Sequence, residues 1–360
     1  MLKKIGNRNI LIINPFGIGD VLFSTPIIHT LRDSYRDATI AYLCNKRVEP
    51  ILKANPNLNK IFIYEKDDWR LAWSQSKTKC IRNFLLFLKK LKNEHFDLAI
   101  DISLGKQYSF FLWLLGVRQR IGFNYKRKGS FLTDRINIAG YDEKPKVKYY
   151  SDLLKLIGLE IKSEKLELYI PDEYTKWAES FLEENNIKDD DIVIGIVSGS
   201  GASFGKDSHI RRWNKEKFSQ LADRLIKEYK AKIILFANHQ EENLIKEIIS
   251  LMCNKPIEAR TNLLEMAVLM RRCNLVICNE GGPLHMAVAL GVKTVSIFGP
   301  IDERVYGPYP PSENHKVIKK DLPCRPCYKK FKMPQCLRNR ECINSITTDE
   351  VFKAVEGFLK

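Results

Sequence analysis

Short β-rich runs alternate with amphipathic helical runs along the whole chain, and this alternation restricts the fold more than any other feature. In the first half the extended runs are ILIIN (10–14), TIAYL (39–43), KIFIY (60–64), DLAIDI (97–102) and RIGF (120–123). Helical periodicity fills 21–35, 46–54, 79–93 and 106–115. In the second half the runs IVIGIVSG (192–199), KIILFA (232–237), LVICN (275–279) and TVSIFG (294–299) alternate with helices over 214–229, 239–252, 263–272 and 283–290. A helix between successive strands demands a parallel crossover, and strands covered on both faces read as unbroken apolar runs. The pattern restarts after LYIPDEYTKW, which places a linker near Pro171–Asp172. At 360 residues the chain exceeds one ordinary core. The expectation is an α/β fold of two Rossmann-like domains, 1–171 and 172–345, whose parallel sheets face a central cleft. A capped helix over 346–360, headed by Thr347 or Thr348, is expected to pack back across them. Ligands in such sheets bind beyond the carboxyl ends of the strands.

Charge narrows the partners. The formal net charge is +16, from 59 Lys+Arg against 43 Asp+Glu. Such an excess favours an anionic partner, whether nucleic acid, anionic lipid or a phosphorylated substrate; lysines that merely solvate the surface are the competing reading. No nucleic-acid-binding module is legible, so no nucleic acid is expected. The N-terminus runs into a strand with no apolar leader, and the most apolar stretches, 84–91 and 110–117, are interrupted by charge before a spanning length. A cytoplasmic chain is expected. Cys44, Cys80, Cys253, Cys273 and Cys278 lie in or beside apolar runs and read as buried hydrophobes. Cys324, Cys327, Cys336 and Cys342 form a CxxC pair followed by a looser pair. A structural metal and reduced thiols both remain open for them.

Three stretches carry chemistry. In ILIINPFGIGDVLF an extended run meets Gly17-Ile18-Gly19, and Asp20 stands at the head of a helix. Leu22 replaces the third glycine of the dinucleotide fingerprint, and a carboxylate there repels a pyrophosphate, so the turn argues against NAD. Asp20 is either the helix N-cap or a general base exposed by the flanking glycines. In LVICNEGGPLHMAVAL a strand leads through Gly281-Gly282 to a helix with Pro283 in its first turn, a backbone cradle for an anion. SGSGASFGKDSHIRRW adds Ser198, Ser200 and Ser203 and the forked donors of Arg211 and Arg212. Each of these two has a plain reading as an ordinary Gly-rich turn or a solvated loop.

Together GIGDVLFSTPII (17–28), IVIGIVSGSGAS (192–203), RRWNKEKFSQLADRL (211–225), NEGGPLHMAVALGVKTVSIFGP (279–300) and YGPYP (306–310) resemble glycosyltransferase family 9, the heptosyltransferases of the lipopolysaccharide inner core. The resemblance runs in order over nearly the whole chain. It implies the GT-B fold and inverting transfer with neither metal nor cofactor. Asp20 matches the catalytic base. Arg211, where the family usually has lysine, matches a residue on the donor phosphates, with Ser200 and Arg212 beside it. Glu241 matches the acidic residue on the donor ribose, and Gly281, Gly282 and His285 match the diphosphate loop. The segment 261–263 falls where the base would rest. Glu280 stands near the donor sugar where many members have aspartate, and Gly281 where they have Ser or Thr. Gly19 and the basic run Lys126, Arg127 and Lys128 are expected on the acceptor side. The implied partners are a nucleotide-diphospho-sugar, ADP-heptose first, and a lipopolysaccharide-like glycolipid, with peripheral contact at the anionic inner face of the inner membrane. The alternatives are another sugar or acceptor on the same fold, or a non-enzymatic basic protein that binds nucleic acid or membrane.

Overall fold

The structure, a computed structural model, describes residues 8–201, 205–237 and 241–360. The chain divides into two compact units, Met1–Tyr141 with Lys146–Glu164, and Asp142–Pro145 with Lys165–Lys360.

The first unit holds a parallel sheet of β1 (Asn9–Ile13), β2 (Thr39–Cys44), β3 (Lys60–Ile63), β4 (Leu98–Asp101), β5 (Gln119–Tyr125) and β6 (Asp134–Ile138), in the order β3-β2-β1-β4-β5-β6. Ile12 of β1 lies opposite Tyr42 on one side and Ile100 on the other. The second unit repeats the plan with β7 (Val193–Val197), β8 (Lys232–Ala237), β9 (Ile257–Arg260), β10 (Leu275–Asn279), β11 (Thr294–Phe298) and β12 (His315–Lys319), in the order β12-β11-β10-β7-β8-β9. Each is the Rossmann strand order, and its direction of winding reverses between the first and fourth strands of the unit. That crevice lies between β1 and β4 in one unit and between β7 and β10 in the other. The loops singled out in the sequence leave β1, β7 and β10 there, so the topology places them where such sheets bind ligands.

The strands missing from the sequence reading are β6, β9 and β12. All three are sheet edges. DRINI of β6 is mostly exposed, and β9 and β12 are only half-buried. An edge strand is covered on fewer sides, keeps polar residues and loses the continuous apolar run. The helix expected over 21–35 is two helices, Ile18–Phe23 and Thr25–Ser34. Ser24 Oγ donates to the Val21 carbonyl (2.6 Å) and Thr25 Oγ1 to that of Leu22 (2.7 Å), and Pro26 has no N–H to continue the ladder. Residues 66–75 form a further helix, Lys66–Gln75, which buries none of its side chains fully.

The C-terminal helix Thr348–Leu359 opens with a Thr347/Glu350 capping box. It belongs to the second unit, where Val351, Phe352 and Val355 join Leu221, Leu225 and Ile297 in one core. Trp213 Nε1 donates to the Ile346 carbonyl (3.0 Å), which ties this end to the Arg211–Trp213 segment. Cys44, Cys80, Cys273 and Cys278 are buried as expected, but Cys253 is exposed, since it falls just past the helix Glu242–Leu251. Residues 1–164 carry 29 Lys+Arg against 16 Asp+Glu, leaving 30 against 27 for the remainder, so the basic excess resides in the first half.

Candidate functional site

The loop after β1 is folded back by Asn14. Its Nδ2 donates to the Asp20 carbonyl (3.1 Å) and its Oδ1 accepts from the Phe16 amide (3.3 Å). The N-cap of the helix Ile18–Phe23 is Gly17, and Asp20 lies inside the first turn. Asp20 is therefore not the cap. There it complements the positive helix end. Its Oδ1 accepts from Lys146 Nζ, whose side chain is 6% exposed against 27% for Asp20. Lys146 Nζ also lies 4.8 Å from the Tyr141 ring centre, 5.7 Å from Tyr150 and 5.8 Å from Phe16. Burial pushes the Lys146 ammonium down to about 7. The result is a partly solvated carboxylate tied on its inner side to a caged lysine. Lys146 escaped sequence reasoning: in KPKVKYYSDLL it is one lysine of several, and only its place on the buried stripe with Val147, Tyr150 and Leu154 marked it.

Gly19 shares the turn with Asp20. Lys126, Arg127 and Lys128 lie exposed in the turn after β5, at the same carboxyl edge of the sheet. Lys126 and Arg127 adopt left-handed φ of 50° and 59°, and Lys126 and Lys128 stand 5.0 and 5.7 Å from the Tyr125 ring centre. A buried carboxyl in the same unit, Asp101 at the end of β4, was also missed. Burial pushes it up to about 6, and it accepts from the Ser103 amide at 2.9 Å.

In the second unit three segments converge on Asn279, another residue that the sequence reading passed over. Its Nδ2 donates to the carbonyls of Ser198 (2.7 Å) and Gly199 (3.1 Å), and its Oδ1 accepts from the Trp213 amide (3.0 Å). Arg211 and Glu280, expected to touch the donor separately, are joined: Nη1 of Arg211 donates to Glu280 Oε1 at 2.9 Å, with side chains 3% and 6% exposed. Arg211 Nη2 donates to the Ser200 carbonyl (2.6 Å). Arg212 Nε donates to Ser200 Oγ (3.0 Å), and its Nη2 lies 3.3 Å from Glu241 Oε1. That same Glu241 oxygen accepts from the amides of Ser200 (3.0 Å) and Gly201 (3.2 Å). Here Glu241 shapes the serine-glycine loop. Gly199 allows the approach, because a Cβ at 199 would lie 2.1 Å from Glu241 Oε2. Ser203 lies outside the described residues.

Opposite these side chains begins the helix Gly282–Ala289. Gly281 precedes it as the N-cap at φ 144° and has no side chain to cap its amides, and Pro283 sits in its first turn. His285 is buried in that first turn. A helix start of this kind, next to two arginines, attracts an anion. At 261–263 Asn262 caps the helix Leu263–Arg272 in a capping box with Glu265.

The four C-terminal cysteines are free thiols. Cys327 Sγ approaches the Cys324 carbonyl (3.0 Å), Cys336 Sγ accepts from the Arg340 amide (3.2 Å), and burial pushes Cys342 up to about 11. Among the described residues no three His, Cys, Asp or Glu side chains are grouped so as to hold a metal ion.

Two Rossmann-like units, each a six-stranded parallel sheet with the same strand order, are the architecture of the GT-B class. The chain belongs to glycosyltransferase family 9 (heptosyltransferase), whose profile matches residues 84–337. It is 24% identical over 352 residues to lipooligosaccharide heptosyltransferase 2 of Campylobacter jejuni, covering 96% of this chain and 97% of that one. The crystal structure of a family 9 glycosyl transferase from Veillonella parvula superposes with a TM-score of 0.80 at 22% identity, covering 99% and 98% of the two chains. The structure of E. coli ADP-heptose lipopolysaccharide heptosyltransferase II does so with a TM-score of 0.74 at 19% identity, covering 98% of each. The family match sets aside the reading as a non-enzymatic binding protein.

Proposed function

We propose that the enzyme moves a heptose from ADP-heptose to a lipopolysaccharide-core glycolipid, with inversion and without a metal. The observation that carries the donor half is the glycine-headed start of the helix Gly282–Ala289 beside Arg211 and Arg212, at the switch point of its sheet. The names of the relatives supply the sugar and the acceptor class. Asp20 takes the proton of the acceptor hydroxyl, and the freed oxygen attacks the anomeric carbon. The bond to the diphosphate breaks on the opposite face, and ADP leaves with the bonding pair. The helix start and the arginines stabilise that growing charge. Lys146 is a positioning residue: it donates to the Asp20 carboxylate and fixes its orientation. Lys126, Arg127 and Lys128 suit the negative charges of a phosphorylated acceptor on the cytoplasmic side of the membrane.

The test is release of nucleoside diphosphate from ADP-heptose, UDP-glucose and GDP-mannose, each with a lipopolysaccharide preparation truncated to its inner core, and each repeated in EDTA. ADP-heptose should turn over, with and without chelator. Turnover of a different sugar nucleotide alone would replace the donor. Loss in EDTA restored by magnesium would overturn the metal-free mechanism.

A further inference from the structure

The first unit carries an apolar face that its own fold leaves open. Leu71, Trp73, Leu85, Leu86, Trp113 and Leu114 are each 49–59% exposed. They lie on three helices, Lys66–Gln75, Lys77–Lys92 and Lys106–Leu114. Ring contacts join these helices into one surface: Trp69 meets Phe84 (centroids 5.5 Å apart), Phe84 meets Phe111 (5.2 Å), and Phe110 stacks on Trp113 (5.9 Å). Between Thr78 and Lys89 an open groove on the middle helix is floored by Ile81, Leu85 and Leu86. Isolated exposed hydrophobes are ordinary, but a continuous run of leucine and tryptophan marks a contact surface.

The charge around this face identifies what it contacts. The helix Lys77–Lys92 holds six basic residues and no acidic one, and no acidic residue occurs between Asp101 and Asp134. Lys77 Nζ lies 6.0 Å from the Trp73 ring centre, and Lys106 Nζ lies 5.7 Å from that of Phe131, so cations flank the aromatic rings. A second copy of the same face would bring like charges together. Asp67 and Asp68 at the start of the helix Lys66–Gln75 are offset by Lys66 and Arg70, so the helices Lys77–Lys92 and Lys106–Leu114 make the rim basic on balance. An apolar centre with interfacial tryptophans and a predominantly basic rim matches an anionic lipid leaflet: apolar side chains enter the acyl boundary, while lysine and arginine heads stay with the phosphates.

We infer that the three-helix face of the first unit docks the enzyme on an anionic phospholipid surface by shallow insertion of Leu85, Leu86 and Trp113. The exposed turn Lys126–Lys128 expected from the sequence supplies charge, and this face adds apolar insertion. The inference rests on the glycolipid reading of the acceptor for its purpose, and its test uses lipid carrying no acceptor sugar, so either can fail alone.

The full chain is sedimented with vesicles of phosphatidylcholine and of phosphatidylcholine with phosphatidylglycerol, across a salt series. Wild type should bind only the anionic vesicles, weaken with salt, and shift its tryptophan emission to the blue. Leu85→Gln/Leu86→Gln should lose more than about tenfold in partitioning with its melting temperature unchanged. Lys77→Gln/Lys79→Gln/Arg82→Gln should lose about as much at low salt while keeping the fold. Equal binding to both vesicle types, or variants that bind as wild type does, would overturn the inference. So would a Leu85/Leu86 variant that turns a dimer into a monomer with vesicle binding intact, because the face would then be a protein interface.

Discussion

Arg211→Ala should expose how the donor half is held together. Arg211 and Glu280 form a pair removed from water, linked at 2.9 Å, and Arg211 also holds the Ser200 carbonyl at 2.6 Å. Removing the cation leaves the Glu280 carboxylate buried without this partner, and breaking such a pair costs about 3–5 kcal/mol. The second unit has roughly 200 residues, for which each kcal/mol moves the melting point by about 2–4 °C, so its transition should fall by about 6–20 °C. Replacing both partners by apolar residues of similar volume, Arg211→Met/Glu280→Leu, removes the stranded charge and should recover most of the loss. The assay is differential scanning calorimetry of wild type, single and double variants, each with and without saturating ADP. Bound ligand raises the melting point according to its concentration over its Kd. The double variant should melt near wild type and gain much less from ADP. If Arg211→Ala melts within about 2 °C of wild type, or the double variant is no more stable than the single, the pair does not support the fold. A full ADP response in the double variant would remove Arg211 from the donor site.

Three further outcomes are expected. Asp20→Asn should keep ADP binding yet lower turnover by ~10²–10⁴, the range for losing a general base; turnover within a few-fold of wild type would dismiss that role. Lys146 sits near 7 in the folded chain, against 10.5 ordinarily, so between those values the unfolded chain binds a proton that the folded one lacks. Wild-type stability should therefore gain a rising contribution across that window, which Lys146→Met removes; urea melts at pH 7, 8.5 and 10 that show the same slope for both proteins would contradict it. Gly199→Ala should push the Glu241 carboxylate off the Ser200 and Gly201 amides and weaken ADP by about tenfold or more, measured by calorimetric titration, and unchanged affinity would show that the loop tolerates the displacement.

The central strands were legible because a strand covered on both faces must be apolar along its length, as ILIIN and LVICN are. From the alternation came two doubly wound units, and from the glycines after β1 and β10 came the loops at their carboxyl ends. The edge strands β6, β9 and β12 were illegible because partial exposure relaxes that requirement. Asp20 and Glu280 stood out by residue type next to glycine and Arg211 as one of two adjacent arginines, but which residue each pairs with did not. Lys146 is 126 residues from Asp20, and Glu280 is 69 from Arg211. Periodicity reports only which face of an element turns inward. Which buried charge meets which depends on strand order and on the packing of distant helices, so a lysine caged by Phe16, Tyr141 and Tyr150 reads in the sequence like any other lysine until the fold is closed around it.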